Sequence, residues 1–463
     1  MAAIVTNNFR FNNAEQFVES FSEVSPTTHY LFLGRPQSFD VSAGGGDDQN
    51  PPAPLDNVDD AYMIWRDMIA AKKISAADVT FAVPRHDWEI NRPYDYYRSD
   101  YGSTVNGSVV TVLNGETDIF SVNSRMYVKT DANNVYKCLW NNGGANSVIV
   151  PTGTSTEELS TADGYVWKYM YTLTASESGK FITSDFIPVH TDSTIKGAAV
   201  PGAISHFHIA NGGSGYSNGV YTGQSLAGDG SGGLFTVTVT SNAVSQVTSD
   251  SVGIDYTYAD CNIDAVPNIG TPSTSAIITP IIPPVGGHGS NAVQELGGFY
   301  VISTTILSGT AGSGDFVVDQ DFRRIGLIKD PYNYDGVNIC TADTRNALKS
   351  ITLDPGYSGT FINDEELVGS TSGAKALVVD WDELSRVLKY IQTQWSGIDV
   401  YKNLTEFNAG ENIITSSGGT GVVTTVNNPE IKYYSGEIFY MENRKPITRS
   451  PDQTENIKLI IEF

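Results

Sequence analysis

Cysteine is scarce in this 463-residue chain. Cys138, Cys261 and Cys340 are widely spaced and form no CxxC pair, so a disulfide framework is excluded and maturation in a reducing cytoplasm is expected. They read as small buried hydrophobes rather than reactive or metal-bound thiols. Long apolar runs are also missing. The best stretch, residues 277–285, is broken by Pro280, Pro283 and Pro284 and falls far short of the roughly 18 residues a spanning helix needs, so no membrane is expected. The opening MAAIVTNNFRF has no cationic region leading into an apolar one, and nothing suggests secretion. Positive charge is in deficit: 28 Lys+Arg stand against 52 Asp+Glu, a net charge of −24 that repels a phosphate backbone and argues against nucleic-acid binding.

Abundant glycine (45) and tyrosine (24), with many Ser, Thr and Val, point instead to a β-rich chain full of turns. Helix signals are few. Asn13 with Gln16 can open a short helix that puts Phe17 and Phe21 on one face, and Asn57 with Asp60 can open another. In the second, Ile64, Trp65, Met68 and Ile69 form an apolar stripe that predicts a helix to about Lys73. Residues 43–54 read as a flexible loop. Strands are expected at 78–83, 108–113, 125–129, 135–140, 165–173 and 234–240, giving an antiparallel β body.

Texture divides the chain into a body at 1–197, 286–349 and 431–463, interrupted by a Gly/Ser/Thr-rich β module at 198–285 and a second module at 350–430. The second module repeats itself. FINDEELVGSTSGAKALVVD at 361–380 matches FNAGENIITSSGGTGVVTTV at 407–426, aligning Phe361 with Phe407, Glu365 with Glu411, Ser370 with Ser416 and Gly373 with Gly419. This is one hairpin written twice, too few copies for a solenoid. The fold class is mainly β, a β-sandwich body with a few short helices near the N-terminus and small inserted β modules.

Signals for chemistry are weak. His206 and His208 share one side of a strand, as paired metal ligands do, yet no third ligand stands near and His288 lies in a distant glycine loop. GGSGY and GDGSGG are followed by neither Lys-Ser nor Lys-Thr, so turn glycines account for them better than a phosphate cradle. Glu365/Glu366 and Asp380/Asp382 are sequence neighbours, whereas a glycosidase needs carboxyls facing each other roughly 5–10 Å apart. No GxSxG is present. Neither an enzyme nor a cofactor, metal or small-molecule substrate is expected. The densest patch is RHDWEINRPYDYYR at 85–98, where Arg85, Trp88, Arg92, Tyr94, Tyr96 and Tyr97 are candidate protein-interface residues. These rings are equally suited to core packing.

The last 29 residues, 435–463, carry a strand at 436–441, a polar loop with Pro446 and Pro451, and a period-2 face of Ile457, Leu459, Ile461 and Phe463. Their wording resembles the C-terminal signature of a baseplate wedge subunit of T-even-like contractile-tailed bacteriophages. AIVTNNFRF, THYLFLGRP, VPRHDW, DGYVWKYMY and DFRRIGLIKDP are similar to the same family in the same order. PIIPPVGGHGSNAVQELGG looks like wording from cyanophage-type relatives. The resemblance implies a non-enzymatic β-sandwich subunit, homodimeric, assembled in the host cytoplasm with other wedge proteins and located in the virion tail baseplate. It would link its neighbours and pass on the rearrangement that triggers sheath contraction. The alternative is a receptor- or glycan-binding tail protein that offers Tyr216, Tyr221, Tyr256 and Tyr258 of the first module as stacking rings.

Overall fold

The computed structural model describes residues 5–39, 46–308, 320–393, 396–399, 403–450 and 453–463. The chain is mainly β, and its contacts divide it into two units. The first comprises residues 1–16, 80–302 and 460–463, the second residues 17–79 and 303–459. Pro451 and the start of the expected loop, residues 43–45, lie outside the described residues.

In the first unit, one sheet runs in the order Tyr127–Lys129, Asn134–Asn141, Tyr165–Thr172, Glu158–Ser160. A second sheet runs Phe186–Pro188, Val79–Pro84, Tyr300–Leu307, Glu455–Glu462, of which residues 80–84, 186–188, 300–302 and 460–462 lie within this unit. Val83 and Ile187 from one sheet share an apolar layer with Tyr127, Val135 and Tyr171 from the other, which is two-layer β packing. Residues 204–278 enclose a core of their own, built on Phe207, Tyr216, Phe235, Val237 and Tyr256. Arg10 fixes the last strand. Its guanidinium lies 3.3 Å from the Phe299 ring centroid, pairs with Glu462 and donates to the Phe463 carbonyl at 2.7 Å.

In the second unit, a five-stranded sheet runs Thr344–Asn346, Met68–Ile74, His29–Gly34, Asp321–Lys329, Glu437–Thr448. All six residues of His29–Gly34 are buried, as the uninterrupted HYLFLG run demands. Gly326 is required opposite it, because a Cβ there would run into the Phe32 ring. Asp67 is buried, and its two carboxylate oxygens accept from Arg324 NH1 at 2.9 and 2.8 Å.

The remainder of this unit is a closed six-stranded barrel over Lys349–Leu353, Val387–Ile391, Lys375–Asp382, Glu366–Gly369, Asn412–Thr415 and Thr420–Asn427. The two hairpins of the repeat pair Leu367 with Thr415, Val368 with Ile414 and Gly369 with Ile413. Val368 and Ile414 are the same position of the repeat, so a pseudo-twofold axis passes between them. Each glutamate caps the other hairpin's turn. Glu365 accepts from the Ser416 and Ser417 hydroxyls at 3.0 and 2.6 Å, and Glu411 from the Thr371 and Ser372 amides at 3.1 and 2.9 Å. The repeated Phe361 and Phe407 are both buried inside.

Five local expectations need correction. The first helix spans Asn7–Glu19, so Asn13 sits in its interior, and the Phe9 amide instead meets the Thr6 hydroxyl at 3.3 Å. The second starts as expected, with Asn57 accepting from the Asp60 amide at 2.9 Å, but ends at Asp67. Met68–Ile74 leaves the helix to pair with His29–Gly34. The run at 108–113 yields only the short strand Ser108–Val109. Pro446 lies within Glu437–Thr448, an edge strand whose register shifts between the pairs at Phe322 and Arg324, where a missing N–H is tolerated. Of the expected terminal face only Leu459 is fully buried; Ile457, Ile461 and Phe463 are half-buried, and Ile460 packs beside Phe11 and Phe299.

Candidate functional site

The segment 85–98 follows strand Val79–Pro84 and crosses the first sheet of its unit, so its side chains divide between core and surface. Tyr94 is fully buried, and its hydroxyl donates to the Glu89 carbonyl and accepts from the Glu89 amide, at 3.1 and 2.6 Å. Tyr96 is buried and hydrogen-bonded to His208 Nδ1 at 3.0 Å. Tyr97 is half-buried under the Lys137 ammonium, 4.1 Å from its ring centroid. These three rings pack with Tyr136, Tyr165 and Trp167 in one aromatic cluster. Arg85, Trp88 and Arg92 reach further out. Arg85 binds Asp87 through Nε and NH2 at 2.9 and 2.7 Å, Arg92 pairs with Glu89, and the half-buried Trp88 donates to Ser147 Oγ at 3.3 Å.

Beside them runs a loop that composition did not single out. Ser147 bridges to Arg92, and Asp163 Oδ2 accepts from Ser147 Oγ, the Val148 amide and the Ile149 amide at 3.1, 2.8 and 3.0 Å. Burial pushes the Asp163 carboxyl up, and these hydrogen bonds with that from Thr161 more than reverse it. The result is a fixed apolar patch, with Ile90, Val148, Ile149 and Val150 exposed by 61, 45, 37 and 38%.

Against Tyr97 lies a buried charged group. Lys137 Nζ donates to Glu295 Oε2 at 2.8 Å and meets His288 Nδ1 at 3.1 Å. Glu295 Oε1 takes the Gly289 and Asn291 amides at 2.8 and 3.1 Å. Burial, then the neighbouring Lys137 charge, holds His288 well below its ordinary value. The imidazole is therefore neutral and accepts at Nδ1. Every polar contact here serves to anchor the loop at 288–291.

His206 and His208 do come together, on one wall of a cleft of about 840 Å³ that Tyr96, Arg98, Trp140 and residues 245–249 also line. His206 Nε2 sits 3.1 Å from Glu158, and its ring stacks on Trp140 at 11°. Among the described residues no group of three His, Cys, Asp or Glu side chains could hold a metal ion. The carboxylates weighed above are all locally engaged: Glu365 by the serines already named, Glu366 by Lys375 at 2.8 Å, Asp380 by Lys389 at 3.1 Å and Asp382 by Ser385 at 2.5 Å. The expected sugar-stacking rings are corrected as well. Tyr216 and Tyr256 are buried in the module core, Tyr221 packs against it, and Tyr258 alone is largely exposed.

The family described as Bacteriophage T4, Gp8 matches residues 3–139, which contain the whole segment 85–98. The chain is also similar to the baseplate wedge protein gp8 of Enterobacteria phage T4, 26% identical in an alignment of 220 residues that covers 42% of this chain. It spans 62% of the length of that T4 protein. The matched segment contains the strand His29–Gly34 and, of the aromatic cluster under 85–98, Tyr94, Tyr96, Tyr97 and Tyr136, while Tyr165 and Trp167 lie outside it. The Glu365/Glu411 barrel lies outside residues 3–139.

Proposed function

We propose that this chain is a structural, non-enzymatic subunit of a phage tail baseplate wedge, placed in the virion tail and assembled with other wedge proteins. The family match over residues 3–139 is the observation that carries this reading. In it the chain forms a homodimer and links neighbouring wedge proteins. Its folded body moves as a unit in the rearrangement that leads to sheath contraction. The apolar patch of Ile90 and Val148 to Val150, next to Trp88 and Arg92 at Ser147, is the contact surface, with Arg85 a further candidate: Val148 and Ile149, whose amides Asp163 holds, lose little entropy on docking. Tyr94, Tyr96 and Tyr97 support it from within.

The test is co-expression with the remaining baseplate proteins of the same genome, comparing wild type with the exposed-site double variant Ile90→Asp/Ile149→Asp. The variant should melt like wild type and fail to co-purify with wedge assemblies, a loss of about a hundredfold or more in affinity for a hot-spot patch. Normal incorporation of the variant refutes the patch. Recovery of the wild-type protein only free, never in baseplates imaged by electron microscopy, refutes the wedge role.

A further inference from the structure

The backbone hydrogen bonds around the His206–His208 cleft do not close. Among the described residues, strand Phe207–Asn211 pairs only with Ile277–Pro280, and Ala243–Ile254 only with Ser231–Thr240. Their free edges are tied at both ends, by Ile204 N to Val252 O and by Val244 N to Gly212 O, each 2.8 Å. Between these ties no backbone hydrogen bond joins residues 205–211 to residues 245–251. Register shifts in the second strand insert Ser245 and Asp250 as extra residues. Bulges of this kind bend an edge out of pairing.

The orientation of the unpaired groups follows from register. Ile281 N donates to His206 O at 3.0 Å, so residues 206 and 208 turn their backbone toward Ile277–Pro280. Phe207 and Ile209 then turn theirs the opposite way, toward the gap. Pro280, facing Phe207, has no N–H to offer, in keeping with that register. Phe207 and Ile209 thus present N–H and C=O groups at alternate positions along an edge that opens into the cleft, and neither has a backbone partner there. Peptide groups in a half-enclosed site ask for partners.

We propose that this edge receives a short, uncharged, extended segment of another protein, which adds as a strand against Phe207–Asn211. Donors and acceptors that recur every second residue, about 6.6 Å apart, are matched by another strand. The open stretch holds about four to six residues. Its side chains alternate into the cleft, where Trp140, Tyr96 and His206 receive them. The charge of the segment follows from the lining. Arg98 is already bound through Nε and NH2 to Asp100 at 2.8 and 2.7 Å, and His206 faces Glu158, so no free charge awaits a partner. The Tyr96–His208 contact places a neutral imidazole at the floor, since burial and then the Arg98 charge lower the His208 pKa.

The test uses the purified full chain and a displayed library of seven-residue peptides built from uncharged amino acids. An enriched peptide, made synthetically, should bind saturably and protect amides within 205–211 and 245–250 from hydrogen exchange. N-methylation of every second peptide amide in the facing set should weaken binding about tenfold or more, and N-methylation of the intervening set should not. Thr248→Arg, which fills the cleft from an exposed position, should weaken it similarly with unchanged melting. Failure to enrich a saturable binder, protection confined to other segments, or equal tolerance of both N-methylated sets overturns the proposal. Protection of the same amides by maltotriose, with no peptide effect, reassigns the cleft to a saccharide.

Discussion

Removing the Glu411 carboxylate should open the turn of the other hairpin, some forty residues away in sequence. Glu411 is 4% exposed and accepts from the Asn408, Thr371 and Ser372 amides and the Ser372 hydroxyl, at 2.6, 3.1, 2.9 and 2.9 Å. Hydrogen bonds to a charged group contribute about 1.5–3 kcal/mol each, less whatever water restores. Glu411→Ala is therefore expected to cost about 3 kcal/mol. Glu365 occupies the equivalent place with Ser416 and Ser417, but it is only half-buried and its hydroxyl partners can turn to water. Glu365→Ala should cost less than about 1 kcal/mol.

Native-state hydrogen exchange on the full chain reads both effects locally. Glu411→Ala should lower protection most at residues 370–374, and Glu411→Gln should fall between it and wild type. Equal losses for the two alanine variants, or loss confined to residues 416–419 in Glu411→Ala, would refute reciprocal capping. Acid gives a second reading. Burial raises the Glu411 carboxyl, but its hydrogen bonds, led by the Ser372 amide, outweigh that and hold it below 4.5. Because the folded group binds its proton less readily than the unfolded one, the stabilisation is full above pH 4.5 and is lost as pH falls through the folded value.

Two further outcomes are expected. Burial lowers His29 and His86 from 6.5 to about 4, so both bind protons more readily unfolded; stability should be full above pH 6.5 and fall by about 2 kcal/mol per histidine by pH 5, before most carboxylates titrate. A flat melting profile between pH 7 and 5 would contradict it. Arg324→Ala strands the buried Asp67 carboxylate and should cost about 3–5 kcal/mol, whereas Arg324→Met/Asp67→Leu should recover most of that in thermal melts; a double variant no better than the single would show that the pair does more than neutralise itself.

Much of the β body was legible because its strands carry period and composition together. Val135 to Trp140 falls inside Asn134–Asn141, and 165–173 coincides with Tyr165–Thr172 to one residue. The helix running on to Lys73 was misread because Ile64, Trp65, Met68 and Ile69 satisfy a helical stripe while Met68 and Ile69 also suit a buried strand, and pairing with His29–Gly34 decided between them. The repeat was legible in kind but slipped in register. Gly373 and Gly418, rather than Gly419, hold the positive φ of their turns, 70° and 90°, because the second turn is one residue shorter. An alignment without gaps matched Gly373 to its neighbour.

The segment 85–98 shows where composition stops. Aromatic rings beside arginine suit a core and a contact surface alike, and only the partners of the hydroxyls separate the two. Asp95, passed over as one acid among many, is buried and holds the Leu113 and Arg125 amides at 2.7 and 2.8 Å, so it organises the loop that Tyr94 and Tyr96 anchor. The cleft is harder still to read, since His208 and residues 245–249 meet through long-range folding. One local signal was nonetheless present. A proline inside an apolar strand-like run marks a residue with no amide to share, and Pro280 in residues 277–285 faces Phe207 where the ladder has no bond to make. Read together with the alternation of His206 and His208, it indicates which side of the neighbouring strand lies open, and therefore where an added strand would have to pair.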